Sequence, residues 1–174
     1  MDEIDELLGV DENETKAGPG SDAPLVVVID DDATQRMSLQ FALERKYRVN
    51  VYSSGTDGVD YVTTQNGLEV SVIILDIKMP DKDGFWTYKE IRKKDPDLPI
   101  IFNSAYQDLE DPFVIMNEYR PFGYMTKSGD LGELMDMVEK AVAFRNRVHS
   151  KRSLVDQLRK VKGEMESLRK RKGW

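Results

Sequence analysis

An apolar run, Val26 to Ile29, ends on three adjacent carboxylates, Asp30, Asp31 and Asp32. Confined acids repel one another and are driven toward protonation unless a cation or hydrogen-bond donors compensate. Such a cluster is either a solvated turn or a metal site. Three more apolar runs end on reactive groups. Asp76 follows Leu75 in LDIKMPDKDG, Asn103-Ser104-Ala105 closes another run, and Lys127 follows Tyr124-Met125-Thr126. Two or three carboxylates, with carbonyls and water, suit a hard divalent cation, Mg²⁺ above all. A hydroxyl and an ammonium facing that ion suit the oxygens of a phosphoryl group, whose transfer rests on positioning and charge neutralisation.

Positioning requires elements that end in one place. The runs LVVVI (25–29), RVNVY (48–52), SVIIL (71–75), PIIFN (99–103) and FGYMT (122–126) are short, rich in Val and Ile, and bounded by turn formers, as buried strands are. Helix-length segments lie between them at 33–46, 55–66, 84–94 and, around Pro112, 107–118. Five alternations predict an α/β protein with a doubly wound parallel sheet and helices on both faces. In such sheets ligands sit beyond the carboxyl ends of the strands, where the strand order reverses. That edge is where Asp30, Asp31, Asp76, Ser104 and Lys127 are expected. Asp32 has a different task, because DATQ carries a capping-box spacing and starts the first helix.

The 174 residues contain no cysteine, which excludes disulfides and thiolate metal sites, and no apolar stretch approaches the ~20 residues of a membrane span. A cytoplasmic protein is the expectation. Net charge is −7 but unevenly spread: residues 1–24 hold eight acids and one lysine, and residues 145–174 hold eleven Lys/Arg and three acids. The acidic middle argues against nucleic-acid binding, for which only the basic tail is suited. The composition of residues 1–24 predicts an acidic flexible leader; MDEIDELL within it places Ile4, Leu7 and Leu8 on one face of a short amphipathic turn, the mark of a docking peptide.

Over residues 25–147 the chain resembles the receiver domain of two-component response regulators. The resemblance rests on the acidic pair after the first run, LDIKMPDKDG, Ser104-Ala105, and Tyr124 three residues before Lys127. It implies the flavodoxin-like strand order 2-1-3-4-5. It also implies that Asp76 accepts a phosphoryl group from a histidine kinase, making the chain a signalling switch that catalyses only its own phosphotransfer and dephosphorylation. Asp31, Asp76 and the backbone carbonyl of Lys78 would bind Mg²⁺, Asp30 would hold a metal-bound water, and Ser104 and Lys127 would bind phosphoryl oxygens. Tyr124 would be the aromatic switch that follows Ser104, and Lys78 and Tyr106 would tune the lifetime of the acyl phosphate. Met79-Pro80 and Gly84 fit the loop after the phosphoacceptor. One departure is Ser128, where the family usually carries a proline after the lysine. A non-proline cis bond costs ~2.5–4 kcal/mol, so a trans peptide is expected.

Two other readings compete. Asp30 to Thr34 also fits the D-x-D-x-T pattern of haloacid-dehalogenase-like phosphatases, with Asp30 as nucleophile, but that leaves Asp76 and MPDKDG unexplained. A phosphorylation-independent receiver-like interaction module is the other, against which the site is complete. His149 sits among Lys and Arg without a neighbouring acid and reads as a solvated helix residue.

From Asp130, a good N-cap with Glu133 three residues on, nothing stops a helix before about Arg171 except Gly163. Such a rod of about 40 residues is ~60 Å long, far longer than the sheet. Its first half buries Leu134, Val138 and Val142. Its basic second half, 148–174, spaces Leu154, Leu158, Val161, Met165 and Leu168 by 4, 3, 4 and 3, a coiled-coil seam predicting a parallel homodimer. Lys151 occupies the preceding seam position and like charge opposes pairing, so the dimer is expected to be marginal. A downstream protein, or an effector domain beyond RKRKGW, would be the alternative carrier of output.

Overall fold

The computed structural model describes residues 19–64, 69–105 and 112–171. Strands β1 (Leu25–Ile29), β2 (Arg48–Tyr52), β3 (Val70–Leu75), β4 (Ile100–Ser104) and β5 (Gly123–Thr126) form one parallel sheet in the order β2-β1-β3-β4-β5. Helices α1 (Ala33–Leu43), α2 (Gly55–Thr63), α3 (Gly84–Lys94), α4 (Pro112–Glu118) and α5 (Leu131–Arg171) connect and follow them.

Both faces are covered, which is why the strands read as continuous apolar runs. Leu25, Val27 and Ile29 point into a core with Val62, Ile73, Leu75, Ile91, Phe102 and Ile115, on the side of α2, α3 and α4. Val26 and Val28 alternate to the opposite core with Leu39, Leu43, Ile101, Leu134, Val138 and Val142, under α1 and α5. The helices start on side-chain caps. Asp32 accepts from the N–H groups of Thr34 (2.7 Å) and Gln35 (3.2 Å), Ser54 from Asp57 (3.1 Å) and Asp83 from Trp86 (2.7 Å). Asp130 accepts from Gly132 (2.5 Å) and Glu133 (3.3 Å), as its sequence position predicts.

Several boundaries differ from the sequence expectation. α1 ends at Leu43 rather than 46, because Tyr47 turns into the core and its N–H bonds the Leu43 carbonyl at 2.9 Å. α2 ends at Thr63 rather than 66, where the Thr64 hydroxyl donates to the Tyr61 carbonyl (2.6 Å) and caps the chain end. Of the expected 107–118 helix, Pro112–Glu118 is described as α4, and residues 107–111 lie outside the described residues. β4 begins one residue late, at Ile100, and reaches Ser104; β5 starts at Gly123. α5 is one uninterrupted helix of 41 residues that runs through Gly163. Residues 1–18, which hold most of the predicted leader, lie outside the described residues. Among the described residues no helix is long and apolar enough to cross a membrane.

Candidate functional site

The sheet register brings the carboxylates together. Ile29 pairs with Leu75, so Asp30 and Asp76 leave adjacent parallel strands side by side, and the Asp76 N–H donates to the Ile29 carbonyl at 2.8 Å. They emerge between β1 and β3, where the strand order reverses. Asp30 is 1% and Asp76 2% exposed, while Asp31 stands at the exposed rim. One carboxylate oxygen from each of the three lies within 4.8 Å of the others. The loop after Asp76 folds back tightly: the Gly84 N–H bonds the Ile77 carbonyl at 2.8 Å, and a Cβ on Gly84 would meet the Asp76 carbonyl oxygen at 2.2 Å. Only glycine fits there.

The other two strand ends close the site. Ser104 pairs with Thr126, and the next N–H, that of Lys127, donates to the Ser104 carbonyl at 2.8 Å. The Lys127 ammonium then reaches back across the edge, 2.9 Å from Asp30 Oδ2 and 3.0 Å from Asp76 Oδ2. Lys127–Ser128 is trans, as expected where proline is absent. Asp30 is held further by the Asp32 N–H on Oδ1 (2.9 Å) and by Arg36, whose Nη1 donates to the Asp30 carbonyl (2.6 Å).

Charge balance here is incomplete. Burial pushes the Asp76 carboxyl up to about 6, and the neighbouring Asp30 adds to that against the pull of Lys127. Burial also raises Asp30, again against Lys127 and the Asp32 N–H. For Lys127, burial works to lower the pKa, but its bonds to Asp30 and Asp76 outweigh it and hold the ammonium charged. One cation therefore serves two buried carboxylates. Asp76 Oδ1 and Ser104 Oγ are buried with no hydrogen-bond partner among the described residues. A buried acceptor and a buried hydroxyl left unpaired cost roughly 1–3 kcal/mol each, so both are poised for a ligand. The three acids and these orphaned atoms fit a hard divalent cation beside a phosphoryl group.

The other residues singled out in the sequence fall as follows. Tyr124 is half-buried on β5 with its ring packed against the core on the α2, α3 and α4 side. The Lys78 side chain is exposed, and Tyr106 lies outside the described residues. Leu154, Leu158, Val161, Met165 and Leu168 are 53 to 65% exposed along α5, and His149 is also exposed. Sequence reasoning missed Arg145. This arginine is 2% exposed and pairs with Asp95, the residue ending α3; Arg152, about two turns on, lies 2.5 Å from Asp97. Its signal was available: Arg145 continues the spacing of Leu134, Val138 and Val142, which puts a cation on a buried face.

A family model, "Response regulator receiver domain", matches residues 26–139. The DNA-binding transcriptional regulator NtrC of Escherichia coli (strain K12) is 33% identical over 128 residues, covering 68% of this chain and 25% of the relative. The chain thus spans about a quarter of the length of the curated relatives it matches. Among solved structures, a response regulator receiver domain protein from Clostridium thermocellum superimposes with a TM-score of 0.65 at 29% identity, over 71% of this chain and 98% of that one. An adenylate cyclase from Rhodopirellula baltica shares the fold, with a TM-score of 0.70 at 21% identity over 77% and 98%. The chain belongs to the response regulator receiver domain family.

Proposed function

We propose that this chain is a phosphorylation-activated signalling switch, with residues 25–147 as the receiver and 148–174 as its basic extension, and that Asp76 is the phosphoacceptor. The observation that carries this reading is Asp76 itself: buried, with one oxygen on Lys127 and the other unpartnered. A carboxylate oxygen of Asp76 attacks the phosphorus of a phosphohistidine on a kinase. The P–N bond breaks, the imidazole leaves with a proton from water, and an acyl phosphate forms. Lys127 and the Ser104 hydroxyl then bind phosphoryl oxygens. Asp31, Asp76 and the Lys78 carbonyl would hold Mg²⁺, with Asp30 acting through water; the ion supplies positive charge that lets two anions meet. Incubation with a small acyl phosphate and Mg²⁺ should yield hydroxylamine-labile phosphate on the protein, and no labelling under any condition would refute the switch.

Loss of Asp31 removes a ligand and its charge together. Asp31→Ala should weaken Mg²⁺ binding more than about tenfold, read by titrating the fluorescence of Trp86, which is half-buried just after the 76–84 loop. An unchanged titration would remove Asp31 from the ligand set.

Relay runs from Ser104 to Tyr124 and on to α5. The Ser104 hydroxyl moves to a phosphoryl oxygen, Tyr124 repacks against the core beside it, and the start of α5 follows through Lys127 and the Asp130 cap. By their sequence positions, two after Asp76 and two after Ser104, Lys78 and Tyr106 would tune the lifetime of the acyl phosphate. The output surface is the seam of α5. A charged helix with one narrow apolar stripe is unstable alone, and its simplest partner is a parallel second copy. Only about two heptads are available, and each strand brings like charge. Light scattering should show self-association that grows with salt and changes with beryllofluoride, and Leu158→Glu/Met165→Glu should be monomeric throughout. A wild-type protein that stays monomeric at high concentration in every condition would leave a downstream protein as the occupant.

A further inference from the structure

A groove of about 580 Å³ opens where α5 leaves the globular body. It is lined by Asp97, from the connection between α3 and β4, and by Val148, Lys151, Arg152, Val155, Asp156 and Arg159 of α5. Val148 and Val155 are seven residues apart, as are Arg152 and Arg159. The valines therefore form one strip along the helix and the arginines a second strip next to it. The valine strip flanks the seam that begins at Leu154, and the arginine strip lies beyond it, away from the seam. Arg152 pairs with Asp97 (2.5 Å) and more distantly with Asp95 (3.9 Å), and Arg159 with Asp156 (3.5 Å). Lys151 forms no ion pair among the described residues, and further along α5 the cations outnumber the acids.

We propose that the groove is the docking site for the acidic N-terminal segment of the same chain, residues 2–8. Charge selects it over a second copy of the rod. Residues 1–18 hold seven acids and one lysine, whereas another rod would bring its own excess of Lys and Arg against Lys151, Arg152 and Arg159. Shape is matched as well. In Asp2-Glu3-Ile4-Asp5-Glu6-Leu7-Leu8, one helical turn puts Ile4, Leu7 and Leu8 on one side with acids around them. That is the complement of a valine strip bordered by cations.

The connection also starts in the right place. Asp22, Ala23 and Pro24 line a cleft with Arg145, Asn146 and His149 of α5, so the chain arrives beside the turn that precedes the groove. Val155 lies six residues beyond His149, about 9 Å along the helix. The ten residues 9–18 reach up to ~33 Å when extended, ample to deliver the segment. Docked there, the leader holds the root of α5 against the Asp97 loop and covers the flank of the seam, which makes it a brake on pairing between rods.

The absence of cysteine allows single-site labelling of the full chain. A nitroxide on Asn13→Cys should broaden the backbone amides of 148–159 several-fold more than those of α1. The contrast should shrink in high salt, and it should vanish with Ile4→Asp/Leu7→Asp or fall with Lys151→Glu/Arg159→Glu. Uniform weak broadening, or broadening indifferent to the Ile4→Asp/Leu7→Asp change, overturns the proposal. A mixture of spin-labelled chains with ¹⁵N-labelled chains lacking the cysteine tests the source. Broadening of 148–159 in that mixture would place a neighbour's leader in the groove and overturn the same-chain occupant.

Discussion

Asp76→Asn is expected to reduce hydroxylamine-labile phosphate to background while leaving the fold intact. An amide oxygen is a poor nucleophile and cannot carry a stable acyl phosphate, so loss should be complete rather than partial. The neighbouring acid makes the discriminating control. Asp30 shares Lys127 with Asp76 and is as deeply buried. Asp30→Asn should lower the rate, because charge near the cation site is lost, but labelled protein should still accumulate. The opposite pattern, labelling lost with Asp30→Asn and kept with Asp76→Asn, would transfer the nucleophile to Asp30 and support phosphatase-like chemistry. Ser104→Ala should label and yet fail to show the slow fluorescence change of Trp86 on activation, if Ser104 relays rather than accepts.

The second large effect is on stability without a divalent cation. Asp76 is raised from the ordinary 3.8 to about 6. The folded state therefore holds a proton more tightly than the unfolded state does. Below about pH 4 both are protonated and no penalty exists; as pH rises toward and past 6 the unfolded chain ionises first and the native state loses stability. Two pKa units correspond to about 3 kcal/mol at most. Asp76→Asn forfeits the Lys127 ion pair but removes this penalty, so a net gain of about 1–2 kcal/mol is expected at pH 8. For a chain of this size that is a Tm rise of about 2–8 °C, closing toward zero at pH 4. Mg²⁺ should narrow the gap by stabilising the wild type. Thermal melts in chelator at pH 4, 6 and 8 measure it; a variant less stable than wild type at pH 8 would contradict the electrostatic account.

The site was legible because its residues end strands. A continuous apolar run stops at a fixed residue, so Asp30, Asp76, Ser104 and Lys127 were located by the same signal that located the sheet. Parallel register then made neighbours of residues as far apart as Asp30 and Asp76. What sequence left open was the charge arithmetic: it put Lys127 at the same edge as the acids but did not show that its ammonium bridges Asp30 and Asp76 directly. Helix ends were less legible. α1 looked three residues longer because nothing local marks that Tyr47 must turn inward, and Arg145 was passed over because a cation among cations reads as solvated even where it continues a buried face. Its partner Asp95 is fifty residues away, and no local pattern links them.

The single helix α5 has a mechanical meaning. It is seated by its cap beside Lys127, clamped at the buried Arg145 by Asp95, tied further on at the half-exposed Arg152 by Asp97, and its seam residues beyond are exposed. A straight α-helix transmits angle without attenuation, so this arrangement is a lever with its fulcrum at Arg145. The 26 residues from Asn146 to Arg171 form an outer arm of ~39 Å against an inner arm of ~21 Å from Leu131 to Phe144. Each degree of tilt moves the outer tip by ~0.7 Å, nearly twice the displacement at the end beside Lys127. A shift of about 1 Å at the start of α5, small enough for a core to accommodate, thus becomes one of ~2 Å at the tip, enough to move a seam leucine out of register with a second copy in the proposed pairing.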